Sequence, residues 1–163
     1  MADTPETMGG NGQEQFMVQA VYTKDLSLES PNSPSIFTQQ WGLKAPELQI
    51  SKQTQKLEDG NYEAVLKITA TVKTDNGEKT AFLVEVHQAG IFTIKGFPND
   101  HIEHMLHTFC MFILFPYARE AISNTVMRAA FPPLLLPHID FEAMYHQQLQ
   151  KSQQQPKANG SGQ

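Results

Sequence analysis

The chain is poor in cysteine, in tryptophan and in net positive charge, and it lacks any long apolar run. Its 163 residues include one cysteine, Cys110, which excludes an intrachain disulfide and a Cys-built metal cage. That fits a reducing cytoplasm. Lys and Arg number 12 against 17 Asp and Glu, a formal charge of −5. This balance counts against non-specific nucleic-acid binding, which needs clustered cations to displace counterions. The apolar run around residues 110–115 is far too short to cross a bilayer, so direct membrane insertion is not expected. Residues 1–15 contain no basic region followed by an apolar run, so no secretory signal is expected. Gly-x-x-x-x-Gly-Lys-Ser/Thr, Gly-x-Ser-x-Gly and His-Glu-x-x-His are all missing. The expectation is a non-enzyme without nucleotide, cofactor or metal.

What is present reads as one domain over residues 16–150, flanked by polar segments, 1–15 and 151–163, that are expected to be disordered. Strands come first and helices afterwards, an α+β order. Period-two alternation from Phe16 places Phe16, Val18, Ala20, Tyr22, Leu26 and Leu28 on one face. Lys24 breaks the series and predicts a bulge or an exposed step there. Residues 36–46 lack periodicity and read as a crossover loop. A weaker strand follows near residues 47–57, with Leu48 and Ile50 inward, and Asp59-Gly60 turns the chain. Residues 61–74 alternate most clearly, with Tyr62, Ala64, Leu66, Ile68, Ala70 and Val72 on one face. Asn76-Gly77 predicts a hairpin, because both residues tolerate positive φ. The return strand puts Phe82, Val84 and Val86 on one side and Leu83, Glu85 and His87 on the other.

Asn99 or Asp100 is expected to cap a helix beginning near His101. Pro116, lacking an amide donor, is expected to interrupt that helix or to start a second. Ala118, Ile122, Val126 and Ala130 form a stripe at i, i+4 spacing. Asp140 can cap a last helix to about residue 150. His101, His104 and His107 recur every third residue. Neighbouring pairs could share a metal, as in a small metal-dependent enzyme, but solvated helix positions are the better reading. Cys110, among apolar neighbours, reads as a packed, inert thiol.

Three ordered blocks identify the chain more closely. They are residues 22–34 (YTKDLSLESPNSP), 81–92 (AFLVEVHQAGIF) and 114–120 (LFPYARE), and the match continues through Phe131-Pro132-Pro133-Leu134 and residues 139–143 (IDFEA). Together they resemble the SecB family of protein-export chaperones over residues 16–145. The resemblance implies a four-stranded antiparallel sheet with helices packed on one face, assembled into homotetramers as dimers of dimers. It implies a cytoplasmic, ATP-independent chaperone that holds precursor polypeptides unfolded and delivers them to the SecA ATPase for export through the Sec translocase. An alternative duty in the same family is protection of an antitoxin in a toxin–antitoxin pair.

By residue, the resemblance implies that Asp25, Glu29, Leu83 and Glu85 dock SecA. From pattern alone, Asp25 and Glu29 share parity on one strand and Leu83 and Glu85 on another, as on any solvated sheet face. Phe37, Trp41, Phe131, Leu134 and Leu136 are implied as a client-peptide groove; core or loop anchoring is the competing reading for each. Val84, Val86, Ala118, Ile122 and Val126 are assigned to the interface between copies. The chain departs from the pattern at Met111-Phe112, where many relatives have Pro-Asn, a change expected to lengthen the helix and add apolar surface. It departs also in a tail that is neutral to basic rather than acidic.

Overall fold

A computed structural model describes residues 13–154 of the chain. Four strands, β1 (Gln15–Glu29), β2 (Glu47–Lys56), β3 (Asn61–Lys73) and β4 (Thr80–Lys95), form one antiparallel sheet in the order β1-β4-β3-β2. β2, β3 and β4 follow one another as hairpins, and a crossover returns the chain so that β1 lies beside β4, a Greek-key connection. Three helices follow: α1 (Asn99–His107), α2 (Phe109–Arg128) and α3 (Phe141–Gln154). They cover one face of the sheet, with α2 lying over β4 and β3.

The core fills the space between α2 and the two central strands. Ala64, Leu66, Ile68 and Ala70 of β3 and Val84 and Val86 of β4 are completely buried against Leu114, Ala118, Ile122 and Val126 of α2. Small residues in that helical stripe let the helix sit close to the sheet. They do so inside one chain. Val84, Val86, Ala118, Ile122 and Val126 are each 0% exposed within it, so the expectation that they meet a second copy is corrected. The apolar surface α2 leaves uncovered lies on its other side: Phe109, Phe112, Tyr117 and Met127 are all exposed.

β1 carries two bulges. One lies at Gln19, between Val18 and Ala20, and the other at Lys24, between Thr23 and Asp25. Each extra residue switches which parity faces the helices. Phe16 and Val18 face inward, then Val21 and Thr23, then Leu26 and Leu28, by their pairing with the inward residues of β4. The simple even-numbered series therefore fails at Ala20 and Tyr22, which turn outward. Of the inward set, Phe16, Val21 and Leu28 pack against the core, while Val18 and Leu26 stay exposed.

Asp59 (φ 58°) and Gly60 (φ 72°) make the β2–β3 turn as expected. The β3–β4 hairpin forms where Asn76-Gly77 places it, but Thr74 N–H bonds Lys79 O across a longer loop and only Gly77 takes a positive φ. The helical break also differs from expectation. α2 runs through Pro116, whose ring sits on the exposed side of a helix held from behind by its packing. The chain leaves helical geometry instead at Thr108 (φ −122°, ψ −73°), whose hydroxyl donates to His104 O at 2.7 Å. At the start of α1 the capping position is Pro98, with no side-chain cap. Asp140 does cap α3, accepting from Ala143 N–H at 3.0 Å. That helix extends to Gln154, so residues 151–154, expected to be disordered, are helical. Gln15 likewise already belongs to β1. The rest of the two segments expected to be disordered, 1–12 and 155–163, lies outside the described residues.

Candidate functional site

The side of the sheet away from the helices gathers the four acidic and leucine residues. Glu29 stands directly opposite Leu83, Ser27 opposite Glu85, and Asp25 opposite His87 across the β1–β4 ladder. Directly opposed side chains on one face lie within contact reach. The bulge at Lys24 makes this possible. It places Asp25, Ser27 and Glu29 on the same side as Tyr22, where unbroken alternation would have turned Asp25 and Glu29 inward.

Glu85 is held on both sides. Its Oε1 accepts from Thr69 Oγ1 at 2.9 Å, and its Oε2 lies 3.3 Å from His87 Nε2. The Thr69 hydroxyl is the main reason this carboxyl sits below the usual glutamate range; partial burial works against it, and His87 and Lys67 add to the lowering. The carboxylates of Asp25 and Glu85 and the imidazole of His87 lie within 4.8 Å of one another.

Beside this cluster the same motif builds a brace. Tyr22 Oη donates to Glu63, and Lys24 Nζ pairs with the other Glu63 oxygen at 2.8 Å. Burial first, then the Glu63 carboxylate, pushes the Tyr22 hydroxyl up to about 12. Thr23, between them, turns inward and donates to buried Gln88 at 3.2 Å. The Tyr22-Thr23-Lys24-Asp25 run thus ties both faces of the sheet and presents an acid at its end.

On the helical side, the crossover and the segment after α2 converge. A 3-10 turn, Ser35–Phe37, buries Ile36 and exposes Phe37. The Trp41 indole N–H donates to the Ile36 carbonyl. Phe131 packs against Phe82 at 4.8 Å between ring centroids, Phe37 at 5.2 Å and Trp41 at 6.2 Å. Phe37, Trp41 and Phe131 therefore form one aromatic cluster, anchored by buried Phe131 and open at Phe37. Leu134 is half-buried, but Leu136 is fully buried, a core residue with no surface for a client, which corrects its placement in a groove. Leu135, at 68% exposure, is the more available neighbour and was missed. It lines a cavity of about 430 Å³ between α2 and the 131–140 segment, together with Phe115, Pro116, Arg119 and His138. Nothing in an irregular, proline-rich stretch signals which of three successive leucines faces outward.

The histidines of α1 do not converge on a common point. His104 Nε2 lies 2.6 Å from Glu142 of α3, and His107 stacks on Tyr145 at 5.7 Å with the rings 16° apart. The expectation of solvated positions holds for His101 alone; His104 and His107 join α1 to α3. Burial, and then nearby Lys52, lowers the His107 pKa. Cys110 is fully buried and its thiol is pushed up to about 12, so it is an inert packing group. Met111 is fully buried, and the Phe112 ring meets Phe141 edge-on at 5.3 Å while staying partly exposed. α2 is continuous across this departure from the family pattern.

Comparison with known proteins supports the family resemblance. The family model described as SecB, preprotein translocase subunit SecB, matches residues 10–152. The protein-export protein SecB of Legionella pneumophila strain Philadelphia 1 is 50% identical over 163 residues, covering 99% of this chain and 96% of that one. The protein-export protein SecB of Methylococcus capsulatus is 50% identical over 143 residues, 88% of this chain and 90% of that one. Among solved structures, a SecB-like chaperone of Mycobacterium tuberculosis in complex with an antitoxin peptide shares the fold at a TM-score of 0.64. It is 15% identical, and the match covers 77% of this chain and 91% of that one.

Proposed function

We propose that this protein, which belongs to the SecB family, carries cargo on one side of its sheet and docks its motor on the other. It is a non-catalytic protein-export chaperone of the cytoplasm, and its family interacts with unfolded precursors and with SecA. The observation that carries the two-sided reading is the opposed chemistry of consecutive residues on β4. Phe82 points into the Phe37–Trp41–Phe131 cluster, while Leu83 points to the face bearing Asp25, Glu29 and Glu85.

An unfolded client offers extended backbone and scattered apolar side chains. Each side chain seated on the aromatic cluster contributes roughly 1.5–3 kcal/mol before ordering costs. One such site binds weakly. Several sites on one assembly, engaged by a single long chain, gain roughly 10²–10⁴ in avidity. This gives a wide client range without sequence recognition. The acids on the outer face suit a cationic docking segment of SecA, for which complementarity raises on-rate and specificity.

The assembly is proposed as a homotetramer, a dimer of dimers. Two exposed apolar surfaces support it: the α2 stripe of Phe109, Phe112, Tyr117 and Met127, and, among the described residues, the free edge of β1 with Met17, Val18 and Leu26. Long apolar edges of this kind are normally covered. Tyr117→Glu with Met127→Glu is expected to shift the sedimenting species to a lower mass. An unchanged sedimentation coefficient would rule out that face.

The functional test is a refolding assay. A slow-folding precursor diluted from denaturant should stay unfolded with the chaperone present and no nucleotide. SecA added later should receive the complex. Refolding at the unassisted rate would refute the reading. Nothing beyond the shared fold favours the antitoxin-guarding alternative, since that likeness stands at 15% identity.

A further inference from the structure

The docking face contains one imidazole set among its carboxylates. His87 stands opposite Asp25 on β1 and opposite Lys67 on β3, two residues along β4 from Glu85, so all four side chains project from the outer face. Its Nε2 lies 3.3 Å from Glu85 Oε2, yet it has no well-directed hydrogen bond among the described residues. Glu85 is aimed this way because Thr69 holds its other oxygen. Lys24, next to Asp25 in the chain, is committed to Glu63. With the imidazole neutral, two carboxylates stand against one ammonium, and the cluster keeps a net negative charge. A proton on His87 adds a second cation among the same carboxylates and cancels the excess.

We propose that His87 is a protonation-dependent member of the docking face: neutral, it leaves Asp25 and Glu85 open to a cationic partner; protonated, it occupies them. Histidine is the side chain whose ordinary titration spans pH 5 to 8. This inference rests on the reading of Asp25, Glu29, Leu83 and Glu85 as the SecA docking face. Thr69 acts through Glu85 as a positioning residue. No helix packs on this side, so the groups facing His87 are Asp25, Glu85 and Lys67, with the Lys24–Glu63 pair beyond them.

The test measures the affinity of the full chain for full-length SecA at about pH 6 and about pH 8, at constant ionic strength. The chain is stripped of metal with chelator and desalted before SecA is added, so that an adventitious metal on these side chains plays no part and SecA keeps its own metal. Wild type is compared with His87→Gln, neutral at both pH values, and His87→Lys, cationic at both. SecA's own titration is common to all three and cancels between them. A cation placed roughly 6 Å from the docking charges changes affinity by roughly 3- to 10-fold. Wild type should lose that factor on acidification beyond any loss shown by His87→Gln. His87→Lys should bind weakly at both pH values. Thermal melts of both variants confirm folding. An equal pH loss in wild type and His87→Gln overturns the role of His87 and leaves docking intact. Absence of wild-type binding at both pH values overturns the docking reading and this inference with it.

Discussion

Reversing two charges on the outer face, Asp25→Lys with Glu85→Lys, should separate motor docking from cargo holding. Two unit charges roughly 6 Å apart in water interact by about 0.7 kcal/mol. Reversal converts an attraction into a repulsion, so each site changes by about 1.4 kcal/mol, and the two by about 3. Physiological salt, with a screening length of about 8 Å, cuts this to about 1.4 kcal/mol, a tenfold loss of affinity. Partial desolvation on docking deepens the loss, so tenfold is the floor. At about 1 M salt the screening length falls to about 3 Å and the same arithmetic leaves only about twofold. The fold should tolerate both changes, because Asp25 is exposed, Glu85 is only half-buried, and the freed Thr69 hydroxyl can turn to water. Cargo holding should persist, since the aromatic cluster lies across the sheet. The assay is a SecA titration at low and high salt beside a refolding-delay assay. Unchanged affinity at low salt would refute the docking assignment. A deficit that ignores salt would mean the double variant had damaged the fold and that the electrostatic account is wrong.

Three further outcomes follow from the geometry. Tyr22 should ionise at about 12, seen by ultraviolet titration as a late step that is absent in Tyr22→Phe. Because its folded pKa is raised, its contribution to stability is complete below the ordinary tyrosine pKa of about 10 and is lost as pH rises through about 12; a titration without a late step would contradict the Glu63 brace. Cys110 should resist a thiol reagent in the native protein and react fully in denaturant; rapid native labelling would show that the helix–sheet layer opens. Deleting Lys24 should leave Asp25 and Glu29 outward, because it removes the unpaired residue and restores plain alternation, whereas deleting Ser27 should put Asp25 and Glu29 on opposite faces. SecA affinity within a few-fold of wild type for the first deletion, and its loss for the second, is the expected pair of results; loss in both would refute the bulge account.

Much of this was legible because strand patterning is local. The alternation in residues 61–74 placed Tyr62, Ala64, Leu66, Ile68, Ala70 and Val72 inward, and that in residues 79–92 placed Phe82, Val84 and Val86 inward, as found in two strands that lie under α2. β1 was harder. Lys24 announced its bulge by putting a lysine in an apolar series, but Gln19 already sat in the polar phase of the pattern and left no trace. The helix break was misplaced for a related reason. Proline removes a hydrogen bond wherever it stands, but a helix pinned by a buried stripe absorbs that loss on its exposed side. Thr108, with an ordinary sequence signature, breaks the helix through its own hydroxyl. The apolar stripe Ala118–Ile122–Val126 was recognised as a packing surface but given the wrong partner. Amphipathicity says that a face is covered, and does not distinguish cover from the same chain from cover by another copy. The docking face required both pattern and family resemblance: parity could pair Asp25 with Glu29 and Leu83 with Glu85, but only the register brings the two strands together.

That register has a consequence for how cargo and motor can be handled together. A single layer of backbone separates Phe82 from Leu83, so the two surfaces are adjacent without overlapping. On the proposed assignment of the two faces, a client on the aromatic cluster does not compete sterically for the carboxylates, and a docked partner does not have to displace the client to bind. Release must then come from work done by the partner on the client, or from a shift in the elements common to both surfaces. Two elements are shared: β4 itself, and the β1–crossover junction, where Glu29 ends the strand and Ser30 and Asn32 tie the crossover to the carbonyls of Ala81 and Thr80. Those two hydrogen bonds join the end of the docking row to the start of the loop that carries Phe37 and Trp41. On the proposed docking assignment, Glu29 therefore stands one residue from a hydrogen-bonded connection to the loop of the aromatic cluster.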